Sequence, residues 1–192
     1  MGNYRPVCDR WILARAKLLG GRKYYGAYPG GFPERARVLL GAWPDEPVLH
    51  VCGGMARYYP WRGGFGPNDK TLDLDPATEP DFLMDARVGP YPAGFRAVLA
   101  DPPYSEVDAD KYLPGAAAYP SPNRIVALAL ASLPPGGRVG IIHYATPGMR
   151  SDAKFIASVG IMVGGNNRER VFTVFERNDP GAMAPPQAEA EA

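Results

Sequence analysis

The chain has only two cysteines and two histidines in 192 residues. Cys8 and Cys52 cannot build a disulfide framework, and two histidines are too few for a Cys/His zinc centre, so no metal site is expected. No hydrophobic run approaches the ~20 residues of a membrane-spanning helix. The apolar stretch from Trp11 to Leu19 is broken by Arg15 and Lys17, which argues against a secretory leader. Pro6 stands where a myristoylation signal requires Ser or Thr. These absences point to a cytoplasmic protein without a membrane partner. A large charge of either sign is missing too: 21 Lys and Arg face 20 Asp and Glu, for a net charge of +1.

What the sequence has in quantity is turn formers, with 23 glycines and 22 prolines. Hydrophobic residues at 46% and charged residues at 21% still describe a folded chain, so a compact core with many rigid loops is expected. Asp9 can cap a first helix with Ile12, Leu13, Ala16 and Leu19 on one face. Pro33 suits the first turn of a second helix that Gly41 ends. Short apolar runs follow at Val48–Cys52, Thr71–Asp75, Phe95–Ala100 and Val139–His143. A helix opened by Ser121-Pro122 precedes the last of these. Another helix is expected near Ser151 to Val159, and Gly164-Gly165-Asn166-Asn167 reads as a turn between two final strands. Short strands alternating with helices and loops indicate an α/β fold with a mostly parallel sheet and an antiparallel hairpin at its C-terminal edge. The expected organisation is a basic arm over 1–27, one domain over 28–179 and a disordered tail over 180–192.

Ligands of open parallel sheets sit beyond the carboxyl ends of the strands. Here those ends carry Cys52-Gly53-Gly54, Asp73-Leu74-Asp75, Asp85-Ala86 and Asp101-Pro102-Pro103-Tyr104. Glycines admit a ligand to the backbone, and carboxylates accept hydrogen bonds from ribose hydroxyls. Two prolines stiffen the last segment and remove N–H donors, leaving carbonyls to accept. An aspartate and a proline carbonyl together can grip an NH₂ group, and a tyrosine offers its face to a flat base.

Asp101-Pro102-Pro103-Tyr104 resembles the catalytic motif of the amino-methyltransferases that use S-adenosylmethionine to methylate adenine or cytosine amino groups. The resemblance runs from about Tyr28 to Glu176 and implies a Rossmann-like class I methyltransferase fold. It also implies S-adenosylmethionine as cofactor, Asp101, Pro102, Pro103 and Tyr104 as catalytic residues, and DNA adenine N6 as acceptor. Gly53 and Gly54 stand where that family keeps its methionine-binding loop, with His50 and Cys52 leading into it. Asp73 and Leu74 stand at the ribose position, and Asp85 and Ala86 at the adenine position. Tyr28-Pro29-Gly30-Gly31-Phe32-Pro33 resembles the family's element that closes over the cofactor, which brings in Tyr28, Pro29, Phe32 and Pro33. His50 is equally readable as a buried strand residue. The family's loop usually starts with an acid and spaces its glycines as Gly-x-Gly, whereas this chain has an adjacent pair. Prolines and glycines between Met55 and Pro67 replace the expected helix by a short turn and an aromatic, arginine-bearing loop.

The first 37 positions hold eight Lys and Arg against Asp9 and Glu34, a local excess of six. Interleaved tyrosines and tryptophan make this stretch readable as a nucleic-acid surface or as a solvated helix face. Arg15, Lys17, Arg22 and Lys23 are its candidates, and Arg57 and Arg62 extend it. The expected partner is nucleic acid, DNA ahead of RNA, with a homodimer mate or second subunit helping to choose the target. The alternatives are an RNA base methyltransferase and a non-catalytic nucleic-acid-binding subunit.

Overall fold

The computed structural model of the chain describes residues 5–15, 18–21, 27–59, 64–115, 119–164 and 168–179. Among these residues eight strands form a single sheet: β1 (Val7–Leu13), β2 (Val48–Val51), β3 (Lys70–Asp73), β4 (Phe82–Leu83), β5 (Ala97–Ala100), β6 (Arg138–His143), β7 (Ala153–Val163) and β8 (Arg170–Arg177). Their order across the sheet is β1-β7-β8-β6-β5-β2-β3-β4. The β2–β3, β3–β4, β2–β5 and β5–β6 pairs are parallel, as is β1–β7. Only β8 runs against its two neighbours, β6 and β7.

Among the described residues there are three α-helices, α1 (Phe32–Leu40), α2 (Glu106–Tyr112) and α3 (Pro122–Ser132), of which α1 and α3 pack on the sheet. Pro33 does sit in the first turn of α1, and Gly41 ends it with φ +66°, its N–H donating to the Val38 carbonyl at 3.1 Å. That conformation is open to glycine at little cost. Ser105 caps α2 and Ser121 caps α3, each hydroxyl accepting a backbone N–H. α1 covers one face with Phe32, Ala36 and Leu40 against Phe172 and Trp11. α3 covers the other with Ile125, Ala129 and Leu130 against Leu49, Val139 and Phe175.

Two segments expected as helices are strands. Val7–Leu13 starts exposed and alternates at its end, where Trp11 and Leu13 are buried and Ile12 faces out. Its β-branched and aromatic residues suit a pleated, half-buried surface. Partnership with β7 overrides the helical spacing of Ile12, Leu13, Ala16 and Leu19. Residues 153–159 belong to β7, an 11-residue strand, because Ile156, Ala157, Val159 and Ile161 are all claimed by the core. The β7–β8 hairpin forms, but β1 pairs outside it, so the sheet edge is β1 and not the hairpin. The turn at 165–167 and the tail from 180 lie outside the described residues.

Candidate active site

The chain leaves β2 for β3 and β4 on one side, then returns to β5 on the other. The strand order therefore switches between β2 and β5, the place where a crevice opens beyond the carboxyl ends of an open α/β sheet. A cleft lies there, at the place where ligands of such sheets bind. Cys52, Gly53 and Gly54 enter it from β2, Asp73, Leu74 and Asp75 from β3, Asp85 and Ala86 from β4, and Asp101 and Pro103 from β5. Four sequence-distant strand ends thus meet at one crevice.

The loop after β2 is built by packing. A Cβ on Gly53 would lie 2.8 Å from the His50 carbonyl oxygen and 3.1 Å from Thr71 Cγ2, so glycine is required by the neighbouring backbone. Gly54 has φ +46°, and its N–H donates to Asp73 Oδ2 at 2.8 Å. Asp73 Oδ1 accepts the Asp75 N–H at 3.0 Å. Asp73 therefore braces the glycine loop from the next strand. Burial raises its carboxyl above the ordinary range, against these two hydrogen bonds. Burial also pushes up the Cys52 thiol, with Asp73, Asp101 and Asp85 adding negative field. A short 3-10 turn at Ala56–Tyr58 follows, as the prolines and glycines dictate.

Asp101 is held by its own N–H donating to the Val51 carbonyl at 3.2 Å. The Tyr104 hydroxyl donates to Asp101 Oδ1 at 2.6 Å. Burial carries the Asp101 carboxyl up to about 7, with Tyr104 and the positive field of Arg170 pulling the other way. Tyr104 itself is not among the lining residues. Its ring packs against Tyr144 at 4.5 Å and edge-on to His143 at 5.3 Å, with the Arg170 guanidinium 5.4 Å above it. The ring is half-buried among these neighbours, and through its hydroxyl Tyr104 supports Asp101. Pro102 is buried and points no surface at the cleft, while Pro103 does.

Other expectations need correction. Phe32 is fully buried, 5.0 Å from Phe172 and 5.6 Å from Tyr28, and Pro29 and Pro33 are buried at the start of α1. These three are core, and Tyr28 is the one residue of that element to reach the cleft. His50 lies in mid-strand, its Nε2 3.2 Å from Asp69 and its Nδ1 3.5 Å from the Tyr28 hydroxyl. It belongs to a buried network in which Arg37 pairs with Asp69 and does not line the cleft. Burial alone would raise Asp69, but hydrogen bonds from His50, Arg37 and Gly66 bring its carboxyl down to about 2. Asp85 reaches the cleft with its carboxylate already gripped by Arg87 through Nε at 3.0 Å and a terminal nitrogen at 2.6 Å. The Ala86 carbonyl accepts the Tyr91 hydroxyl at 2.6 Å.

Of the cationic candidates, Arg57 is committed to Asp81 and Thr71, each at 3.0 Å, which fastens the loop to β3. Arg15 is exposed just beyond β1. Lys17, Arg22, Lys23 and Arg62 lie outside the described residues. Tyr59, Met55 and Tyr112 also line the cleft and were missed, because nothing in their local sequence separates a lining residue from core. Arg170 was missed for the same reason: it is 66 positions beyond the tyrosine it covers.

No family model matches the chain, and no curated protein matches it in sequence. Solved structures do match in fold. TrmN from Thermus thermophilus is similar at 20% identity and a TM-score of 0.54, over 80% of this chain and 50% of TrmN, so the chain spans half of that protein's length. The protein yhhF from Escherichia coli, described as a methyltransferase, is similar at 11% identity and a TM-score of 0.51, over 85% of this chain and 98% of that one. With its switch point, its four convergent strand ends and its single antiparallel strand, the chain has the Rossmann-like class I methyltransferase fold.

Proposed function

We propose that the chain is an S-adenosylmethionine-dependent methyltransferase acting on the exocyclic amino group of a nucleobase, adenine N6 in DNA first. The observation that carries this reading is the meeting of Asp101 and Pro103 with Cys52–Gly54 and Asp73 in one cleft. An amine acceptor and a nucleoside-shaped donor would there face each other. The donor set fits the cofactor: the glycine loop offers close backbone approach, and Asp73 keeps lone pairs for ribose hydroxyls. Leu74 and Ala86 offer apolar flanks to an adenine ring. Asp85 is engaged by Arg87, so its part is to shape the wall. When bound, the cofactor supplies a methyl group already activated by a sulfonium.

The protein's own task is then alignment and charge. Asp101 accepts a hydrogen bond from the acceptor NH₂ through the oxygen that Tyr104 leaves free. A carboxylate there offsets positive charge growing on nitrogen, and does so more strongly inside a buried site than in water. Asp101 also takes the proton that the methylated nitrogen sheds. A base inside a duplex would have to be flipped out, at a few kcal/mol of unstacking.

Incubation with mixed DNA and RNA and isotope-labelled cofactor, followed by mass spectrometry of the nucleosides, tests this. The expected product is labelled N6-methyldeoxyadenosine. A labelled ribonucleoside alone would move the substrate to RNA. Nucleic-acid binding with no cofactor binding by calorimetry would make the chain a non-catalytic subunit, and overturn the reading.

A further inference from the structure

Arg170 opens β8, opposite Ile161 of β7, and so belongs to the C-terminal hairpin and not to the strand ends that form the cleft. It is half-buried, and its Nε is buried with no hydrogen-bond partner. Among the described residues it makes no ion pair with a carboxylate, whereas Arg10, Arg37, Arg57, Arg87, Arg138 and Arg150 all do. Instead its guanidinium sits over the Tyr104 ring at 5.4 Å, while the hydroxyl of that ring holds Asp101 at 2.6 Å. Burial works against the charge, and a hydrogen bond with the Tyr144 side chain and the nearby Asp101 and Tyr104 keep Arg170 a cation. A cation on a phenol face also makes its O–H a stronger donor.

We propose that Arg170 is a positioning residue for the transfer, acting through Tyr104 to keep the Asp101 carboxyl anionic with one oxygen turned to the acceptor amine. This rests on the function proposed above and adds to it a part of the molecule the catalytic motif does not contain. The ionisable groups around Asp101 come from several elements. Tyr28, Cys52 and Tyr59 approach from the α1 and β2 side, Tyr104 from the segment after β5, and Arg170 from β8. Of these Arg170 is the one cation. The phenols and the thiol are all pushed toward their neutral forms by burial. Among the described residues lining the cleft there is no Lys or Arg, so the hairpin supplies positive charge beside it.

The test reads the carboxyl directly, without any substrate. Protein labelled with ¹³C at aspartate carboxyls is titrated by NMR, with Asp101→Asn to identify the Asp101 signal. The wild type is expected to titrate near 7. Arg170→Met should move this upward by about one unit, and Arg170→Lys, which restores the charge, should return most of it. Should Arg170→Met not fold, Arg170→Gln takes its place, and Tyr104→Phe should raise the same signal by breaking the link. In methyl transfer, Arg170→Met should cost about tenfold in kcat near pH 6.5 and under about threefold at pH 9, with KM for the cofactor unmoved. An Asp101 titration unchanged by removing the charge would overturn the proposal. So would an activity loss equal at every pH with a raised nucleic-acid KM and a shallower salt dependence, since that describes a phosphate contact. If the wild type transfers no methyl group at all, the functional reading fails while the NMR titration still decides the role of Arg170.

Discussion

In the proposed reaction Asp101 accepts the amine, and the same carboxyl carries a cost in stability. Its carboxyl is raised to about 7 by burial, so activity that needs the carboxylate should climb with pH through about 7 and level off above it. A kcat–pH profile checks this. Asp101→Ala should lose at least ~10²-fold in kcat, measured by label transfer, because the charge-offsetting group is gone. Because the raised value belongs to the folded state, the native fold holds this proton more tightly than the unfolded chain does. That contribution is fully present below the unfolded value near 4 and is lost as pH rises through about 7. Asp101→Asn should therefore stabilise the protein at pH 8, by up to about 4 kcal/mol in urea unfolding, with the gain shrinking toward pH 4. Asp69 has the opposite sign. Its carboxyl is lowered to about 2, so its support is present above about pH 4 and disappears as pH falls toward 2. Asp69→Ala would leave the buried Arg37 without its carboxylate and should cost about 3–5 kcal/mol by the same measurement.

At the scale of elements, the informative residues are those that two elements claim at once. Gly140 of β6 lies beneath the Phe172 ring, where an added Cβ would meet Cζ at 2.5 Å and Leu40 Cδ2 at 3.2 Å. Both neighbours are buried in the core, so Gly140→Ala should destabilise by about 1–3 kcal/mol, checked by denaturant midpoint. Helices α1 and α3 were legible because their punctuation is local: Ser121-Pro122 opens α3, and Gly41 closes α1; α2, seven residues capped by Ser105, was not expected. The four short apolar runs were legible as strands for the same reason. The first and last misreadings share one cause. Trp11 and Leu13, and Ile156 and Val159, fit either a helical face or a strand, and nothing nearby in the chain arbitrates. Pairing of β1 with β7, over registers such as Trp11 with Ile161, decides both at once.

Across the whole molecule, strand direction brings distant cations to one edge. β1 runs parallel to β7 and in the sense of β5, so Arg15 leaves the sheet on the side where the cleft opens. β8 runs the other way, so Arg168 and Arg170 enter from that same side. Arg168 lies 5.9 Å over the Tyr144 ring, and Tyr144 touches Tyr104. If this edge receives the nucleic acid, Arg15→Gln and Arg168→Gln together should flatten the slope of log affinity against log salt by about two. Fluorescence anisotropy across a salt series measures it, and an unchanged slope would place the nucleic acid elsewhere.

The sequence by itself determined the punctuation of the fold and the chemistry at the strand ends. Prolines, glycines and isolated aspartates exert their effects within a few bonds, so Asp73, Asp101 and the glycine pair could be read directly. It could not determine which of several candidates face the cleft. Tertiary structure decided that His50, Phe32 and Pro33 serve the core, that Tyr104 holds Asp101 through its hydroxyl, and that Arg170 arrives from the far hairpin. The reason is that facing and long-range charge are set by strand order and direction, which arise from pairings among residues up to a hundred and fifty positions apart.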